Sequence, residues 1–292
     1  MSYKPLPTRP AMLHPRAQEY ADSILEWSTE ALASTRHVLD MPYGEDDWHT
    51  LDLYLPDGDA LRKRPVFMFL HGGAWTSGHK EWMGFLAPHF TRIGAIFISV
   101  SYRLAPEAKF PNQLLDTFDA IAWVWNHIHE YGGDPAALSI GGHSAGGHLA
   151  TLAALSPEEL ERRGLPMDAI KACLPLSTPF DLRSPEGQRD PGQERVYRDL
   201  LDKADDDSAA SPILHVRPTA VRFLVAYGDR DFPRIIEQSQ AMAMKLLEVS
   251  CADVHLLRLA DSDHFDTNMN GLSAEDPWIR AATALVGSTK IT

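Results

Sequence analysis

Short apolar segments alternate with helical segments along most of this sequence. Several of the apolar segments carry no charged residue, as in Val66–Leu70 and Ala95–Val100. Such runs are typical of strands buried on both faces of a parallel sheet. The pattern therefore predicts an α/β fold, a doubly wound, mostly parallel sheet with helices on both faces. The predicted strands are 50–55, 65–70, 95–100, 137–141, 169–176, 221–227 and 253–259, and the predicted helices are 16–35, 80–92, 112–130, 147–155, 234–248 and 276–287.

The whole chain, residues 1–292, is interpreted as a single domain, because the alternation continues throughout and no internal repeat interrupts it. Two segments do not follow the alternation, residues 1–40 and 177–212. We expect both to form lid elements over the edge of the sheet where the parallel strands end. For residues 177–212 a solvated surface loop is an equal alternative, since the segment contains Asp205, Asp206 and Asp207.

One strand-turn-helix junction has the sequence of a nucleophile elbow, Gly142-His143-Ser144-Ala145-Gly146. Gly-x-Ser-x-Gly occurs by chance in many chains, but here a predicted strand precedes it and a predicted helix follows it. This sharp turn strains the backbone of the serine and exposes its hydroxyl at the top of the sheet. Ser144 is therefore the predicted nucleophile.

A serine hydroxyl needs a base, and in open α/β sheets the acid and the histidine follow the serine in chain order. His264 lies in the loop after the last predicted strand and is the predicted base. The loop after the preceding strand contains Asp229 and Asp231. Asp231 is the predicted acid, and Asp229 remains the alternative, with a role in capping the turn or in a salt bridge.

The negative charge that develops on the substrate during acyl transfer requires hydrogen-bond donors. The residue after the nucleophile, Ala145, is expected to supply one backbone N–H. Gly73 and Ala74, in the glycine-containing loop after the strand 65–70, are expected to supply the others. Trp75 and His143 lie beside these groups and are tentative substrate contacts, with packing as the alternative for each.

These motifs resemble the α/β-hydrolase superfamily, and within it the hormone-sensitive-lipase-like branch and its kynurenine formamidase relatives. The loop His71–Trp75 is similar to the formamidase H-G-G-x-W pattern, and Tyr102–Pro106 is similar to the Y-R-L-A-P motif of the wider branch. The resemblance covers about residues 16–285. It implies a serine hydrolase without a metal or organic cofactor that removes a small acyl or formyl group.

Three functions follow as hypotheses. The first is an arylformamidase that converts N-formylkynurenine to kynurenine and formate. The second is a carboxylesterase of short-chain acyl esters with the same Ser-His-Asp triad, and the sequence barely separates it from the first. The third is a non-catalytic binding protein on the hydrolase fold, which is disfavoured because all three triad residues occur in order.

Composition limits the partners and the compartment. The net charge of −13 and the absence of a dense basic block argue against nucleic acids and anionic membranes as partners. No apolar run has the length of a membrane span, the first 15 residues do not have the pattern of a secretory signal, and Cys173 and Cys251 lack metal-ligand spacing. We therefore expect a cytoplasmic enzyme with a small-molecule substrate. The oligomeric state is left open, with a homodimer as one alternative.

Overall fold

A computed structural model describes residues 14–58, 63–249 and 253–289 of the protein. Its strands are β1 (Arg36–Pro42), β2 (Thr50–Leu55), β3 (Arg64–Leu70), β4 (Ile96–Val100), β5 (Gly133–His143), β6 (Ile170–Leu176), β7 (Arg222–Gly228) and β8 (Val254–Leu259). In the described residues they form one eight-stranded sheet of order β1-β2-β4-β3-β5-β6-β7-β8. β2 is antiparallel to β1 and β4, and all other neighbours are parallel. The predicted mostly parallel sheet is confirmed.

Helices cover both faces of this sheet. They are α1 (Pro15–Ser34), α2 (Ala87–Arg92), α3 (Asn112–His127), α4 (Ala145–Ala154), α5 (Pro157–Arg162), α6 (Pro191–Arg195), α7 (Asp206–Ala209), α8 (Pro233–Glu248), α9 (Asp266–Met269) and α10 (Pro277–Gly287). In the described part of the chain, no helix combines the length and the apolar character needed to cross a membrane.

The central strand β3 has a core on each side. Val66, Met68 and Leu70 belong to one apolar cluster, which includes side chains of α3, α4 and α8. Phe67 and Phe69 point the other way, into a second cluster that includes side chains of α1, α2 and α10. Because successive residues of a strand alternate between faces, a run without polar residues is what a strand between two helical layers requires.

Within the segment 1–40, which was predicted as a lid element, the described residues form α1 and the first part of β1. Residues 36–40 belong to β1, an edge strand that pairs with β2 and that the sequence analysis missed. The strand has an irregular register between Val38 and Met41, and Asp40 there has a φ of 58°. The N-terminal end of α1 does lie beside the loop that carries His264, whereas residues 1–13 fall outside the described residues. A lid role for α1 stays a prediction.

Residues 177–212 contain α6, a π-helical turn, α7 and a short 3₁₀ turn. The segment reaches the carboxyl ends of the central strands, because Arg195 donates to the hydroxyl of Thr76, in the loop after β3. Ala210 is joined to His148 of α4, with His148 Nε2 and the Ala210 carbonyl oxygen 2.6 Å apart. These contacts hold the segment across the end of the sheet.

The predicted helix 80–92 is only partly helical. It consists of two 3₁₀ turns, Lys80–Trp82 and Gly84–Leu86, followed by α2. The sequence predicted α1, α3, α4, α8 and α10 close to their observed bounds, whereas α5, α6, α7 and α9 were missed. Cys173 lies buried on β6, and burial raises the pKa of its thiol to about 12. Cys251 lies outside the described residues.

A buried cluster of charges forms where the first 3₁₀ turn packs against β2. Lys80 is 2% exposed, and its Nζ lies 2.8 Å from Asp52 Oδ1, 2.8 Å from Asp40 Oδ1 and 2.7 Å from Glu81 Oε1. Asp52 is completely buried, and burial raises the pKa of its carboxyl to about 6 even beside the lysine. The ionised form of Asp52 therefore depends on Lys80.

Replacing Lys80 with methionine is expected to destabilise the protein by about 3–5 kcal/mol at pH 8, because it leaves a buried carboxylate without its cation. With Lys80 present, burial already raises the pKa of Asp52 from 3.8 to about 6, so ionising this group opposes folding; the cost grows between these two pKa values, and loss of the lysine raises the upper one further. At pH 5 Asp52 is mostly protonated, so the variant loses less stability there. Urea unfolding of both proteins at the two pH values measures the difference.

The matched control carries Lys80→Met together with Asp52→Asn. Since the amide is neutral at every pH, this double variant is expected to recover much of the lost free energy of unfolding at pH 8. An equal loss from Lys80→Met at pH 5 and pH 8 contradicts the assignment of the effect to the Asp52 carboxylate.

Candidate active site

Ser144 lies at a strained turn between β5 and α4. Its backbone has φ of 52° and ψ of −117°, a conformation that residues other than glycine rarely adopt. The neighbouring glycines are required by packing. A Cβ on Gly146 would lie 2.1 Å from the carbonyl oxygen of Leu70, and a Cβ on Gly142 would lie 2.3 Å from the carbonyl carbon of Gly146. The strand, the turn and the helix therefore have the geometry expected of a nucleophile elbow.

Two loops from distant parts of the sequence bring partners to Ser144. His264 follows β8, and its Nε2 lies 2.9 Å from Ser144 Oγ. Asp231 follows β7, and its Oδ1 lies 2.9 Å from His264 Nδ1. The three residues predicted as a triad thus form one continuous hydrogen-bonded chain at the carboxyl ends of the parallel strands β5, β7 and β8.

Asp229, the alternative acid, binds Arg258. Its carboxylate is 3.6 Å from Arg258 Nη2, on the neighbouring strand β8, so it forms the salt bridge that the sequence analysis gave as its other role. Geometry thus favours Asp231 as the partner of His264.

The Asp231 side chain is fully buried. Burial alone would raise the pKa of this carboxyl, but the hydrogen bond and the charge of His264 outweigh it and hold the pKa below its ordinary value. The backbone N–H of Phe232 also donates to Asp231 Oδ1, at 2.7 Å. A buried acid that stays ionised in this way can orient a histidine and stabilise positive charge on it.

The loop after β3 passes beside the nucleophile. A Cβ on Gly72 would lie 3.4 Å from Ser144 Cβ. Gly73, Ala74 and Trp75 have consecutive positive φ values of 118°, 50° and 60°. Within the described ranges, no carbonyl oxygen accepts a hydrogen bond from the N–H of Gly73, Ala74 or Ala145. These three predicted oxyanion donors are therefore unpaired within the described chain, and their role stays a prediction.

Trp75 has a packing role in the structure. Its side chain is only 4% exposed, and its indole N–H donates to His148 Nδ1 at 3.3 Å. His148 Nε2 in turn donates to the Ala210 carbonyl oxygen, and burial lowers the pKa of the imidazole to about 4, so the ring stays neutral. His148 therefore connects the loop after β3 to residues 177–212. Of the two alternatives for Trp75, this arrangement favours packing over substrate contact.

His143 is likewise buried, at 2% exposed, and burial lowers its pKa to about 3. Its Nε2 lies 2.8 Å from the backbone oxygen of His264. This position beneath the His264 loop favours a supporting role for His143 over the tentative substrate contact.

The structure adds one residue that the sequence analysis did not single out. Phe232 is 46% exposed, and the centroid of its ring lies 4.9 Å from that of His264. It provides an apolar surface next to His264. Its position directly after Asp231 was the signal in the sequence that could have identified it.

Across residues 14–58, 63–249 and 253–289, no group of three or more His, Cys, Asp or Glu side chains is arranged to hold a metal ion.

Known proteins share both sequence and fold with this chain. The BD-FAE family model matches residues 51–246, a segment that contains Ser144 and Asp231 and ends before His264. The probable carboxylic ester hydrolase LipM of Mycobacterium tuberculosis (strain ATCC 25618 / H37Rv) is 31% identical over 246 residues, which are 78% of this chain and 56% of the relative. Esterase LipQ of the same organism is 34% identical over 236 residues, 77% of this chain and 56% of the relative. The chain thus spans little more than half the length of these curated relatives.

A solved structure, the hyperthermophilic esterase from the archaeon Pyrobaculum calidifontis, aligns with a TM-score of 0.77 at 22% identity and covers 93% of this chain and 92% of that chain. At this identity the likeness concerns the fold alone, and it confirms the predicted α/β-hydrolase fold. The family match over two thirds of the sequence shows that this chain belongs to the BD-FAE family, and this match and the similarity to LipM and LipQ support its membership of the α/β-hydrolase superfamily.

Proposed function

We propose that this protein is a serine hydrolase that cleaves carboxylic esters of short acyl groups, with Ser144, His264 and Asp231 as its catalytic triad. The observation that carries the proposal is the continuous chain of 2.9 Å contacts from Ser144 through His264 to Asp231, starting at a strained elbow. The names of LipM and LipQ support an ester as the bond that is cleaved.

In the first half-reaction, His264 Nε2 takes the proton of the Ser144 hydroxyl while Oγ attacks the ester carbonyl. The carbonyl oxygen becomes negatively charged and is stabilised by the N–H groups of Gly73, Ala74 and Ala145. His264 then gives its proton to the alkoxy oxygen, the C–O bond breaks, and the alcohol leaves. The acyl group remains on Ser144 as an ester.

In the second half-reaction, water takes the place of the alcohol. His264 accepts a proton from the water, the hydroxide attacks the acyl carbonyl, and the proton passes to Ser144 Oγ as the acid is released. Throughout, Asp231 accepts the hydrogen bond from His264 Nδ1 and stabilises the positive charge on the ring. Each step conserves atoms and protons, and requires only ester and water.

The predicted arylformamidase activity has no separate support. The resemblance that motivated it included the loop His71–Trp75, in which Trp75 contacts the substrate in one of two alternatives. Trp75 is buried and bonded to His148, and LipM and LipQ are named for esters. N-formylkynurenine therefore serves as the comparison substrate in the test.

The test measures kcat/KM of the full chain for p-nitrophenyl acetate, butyrate and decanoate and for N-formylkynurenine. We expect turnover of acetate and butyrate esters, weaker turnover of decanoate because residues 177–212 are held across the end of the sheet, and a much lower rate on the formamide. A fluorophosphonate probe is expected to label Ser144. A folded protein that neither cleaves esters nor reacts with the probe overturns the proposal, and preferential cleavage of the formamide restores the first hypothesis.

A further inference from the structure

The loop that carries His264 lies between β8 and the short helix α9. The carboxylates of Asp263 and Asp266 form hydrogen bonds within it. Asp263 Oδ1 accepts hydrogen bonds from the N–H groups of Phe265 and Asp266, both at 2.9 Å. Asp266 Oδ2 accepts from the N–H of Asp263 at 3.0 Å. The position of His264 thus depends on where these two side chains are held.

Both carboxylates bind the same residue of α1. Arg16 donates to Asp263 through Nη1 and to Asp266 Oδ1 through Nη2, the latter at 3.0 Å. The guanidinium also lies 5.8 Å from the centroid of the Phe265 ring. A single arginine at the start of α1 therefore contacts the loop on both sides of His264 in sequence.

Tyr20, one turn further along α1, reaches the buried side of the same loop. Its ring is 3% exposed, and its hydroxyl oxygen lies 2.8 Å from Asn268 Oδ1 and 3.4 Å from His143 Nδ1. His143 Nε2 lies 2.8 Å from the backbone oxygen of His264, which also accepts from the hydroxyl of Thr267 at 2.9 Å. A chain of contacts therefore runs from Tyr20 through His143 to the main chain of His264.

The protonation of this chain follows from its geometry. A carbonyl oxygen can only accept, so the hydrogen of neutral His143 must lie on Nε2. Burial keeps His143 neutral, which leaves Nδ1 as an acceptor that faces the Tyr20 hydroxyl. Burial also raises the pKa of Tyr20, so the phenol keeps its hydrogen. That hydrogen is donated to Asn268 Oδ1 at 2.8 Å, so Tyr20 binds the loop directly at Asn268, and its ring lies 5.7 Å from that of His143, measured between centroids.

We propose that α1 positions the catalytic histidine, with Tyr20 and Arg16 as positioning residues that hold the His264 loop in the geometry required for proton transfer from Ser144. Neither residue contacts the reacting atoms. Both act through the loop, Tyr20 by way of Asn268 and His143, and Arg16 by way of Asp263 and Asp266. This inference rests on the proposed function, because it assigns a role to residues that support the triad.

The variant Tyr20→Phe removes one hydroxyl and keeps the ring that packs against Trp82 and Phe265. We expect kcat for p-nitrophenyl butyrate to fall about 10-fold with KM within about 2-fold, because a small misplacement of His264 affects proton transfer more than binding. Tyr43→Phe is the matched control. It removes a hydroxyl that donates to the backbone oxygen of Ser101 at 2.7 Å, and Tyr43 directly follows β1, which lies at the opposite edge of the sheet from β8.

Arg16 is tested with two substitutions. Arg16→Met is expected to lower kcat about 10-fold, whereas Arg16→Lys restores a cation between Asp263 and Asp266 and is expected to recover part of this loss. If Arg16 contributed only to stability, kcat of the two variants would follow their thermal midpoints and would not depend on whether residue 16 carries a charge.

A spectroscopic measurement separates positioning from folding. The proton between His264 Nδ1 and Asp231 is expected to give a downfield NMR signal, and this signal is expected to shift or broaden in Tyr20→Phe and to stay unchanged in Tyr43→Phe. If wild-type Ser144 reacts with a fluorophosphonate and Tyr20→Phe keeps the wild-type kcat and the same signal, this inference is wrong while the proposed function stands. If wild-type Ser144 does not react at all, the proposed function itself fails.

Discussion

Replacing Ser144 with alanine is expected to lower kcat for p-nitrophenyl butyrate by about 10⁶-fold, because the variant has no group that can form the acyl-enzyme. A residual rate of about 10³-fold over uncatalysed hydrolysis is expected to remain if the N–H groups at Gly73, Ala74 and Ala145 still stabilise a water-derived oxyanion. The rates are measured with substrate in excess and with an active-site titration of the wild type, so that traces of contaminating esterase are recognised.

A second variant at the same position separates chemistry from folding. Ser144→Gly also removes the nucleophile, but glycine adopts a φ of 52° without the steric cost that serine and alanine incur. We expect it to be inactive and about 1 kcal/mol more stable than Ser144→Ala. A Ser144→Ala protein that is folded and still cleaves esters at more than about a hundredth of the wild-type rate is incompatible with Ser144 as the nucleophile.

The central strands and the elbow were predictable because their signals are local. A run such as residues 66–70 has apolar side chains at every position, which only a strand covered on both faces accommodates. Ser144 and His264 follow from a five-residue motif and from chain order, both of which are properties of the sequence itself. Their contact at 2.9 Å agrees with that expectation.

The edge strand β1 was not predictable in the same way. Its residues are half-buried or exposed, and it contains Arg36, His37 and Asp40. The pairing with β2 is irregular at Asp40, so no period of two runs along the segment. Its strand conformation depends on pairing with β2 rather than on its own side chains.

The contacts of α1 with the His264 loop could not be predicted from the sequence for a different reason. Its spacing correctly placed Tyr20 on the buried face of a helix, but a helical period says nothing about which element lies opposite. The partners of Arg16 and Tyr20 are more than 120 residues away in the chain, at His143, Asp263, Asp266 and Asn268. Only the folded arrangement brings them together.

The assignment of Asp231 rather than Asp229 as the triad acid gives the second large expected effect on kcat. Asp231→Asn is expected to lower kcat by about 10⁴-fold, because an amide can donate to His264 Nδ1 and so moves the ring hydrogen to Nε2, where the proton of Ser144 must be accepted. Because the N–H of Phe232 donates to the same Oδ1 that faces His264, an amide nitrogen at this position loses that one hydrogen bond, but the side chain keeps its size and the fold is expected to be retained. Far-ultraviolet circular dichroism and the thermal midpoint check this retention.

Asp229→Asn is the matched control in the same loop. Its carboxylate pairs at 3.6 Å with Arg258, whose side chain is 67% exposed, and such surface pairs contribute at most about 1 kcal/mol to stability. We therefore expect kcat within about 3-fold of the wild type, a change too small to involve the triad. A larger loss of kcat in Asp229→Asn than in Asp231→Asn reverses the assignment, because the residue that orients His264 must be the one whose charge the reaction requires.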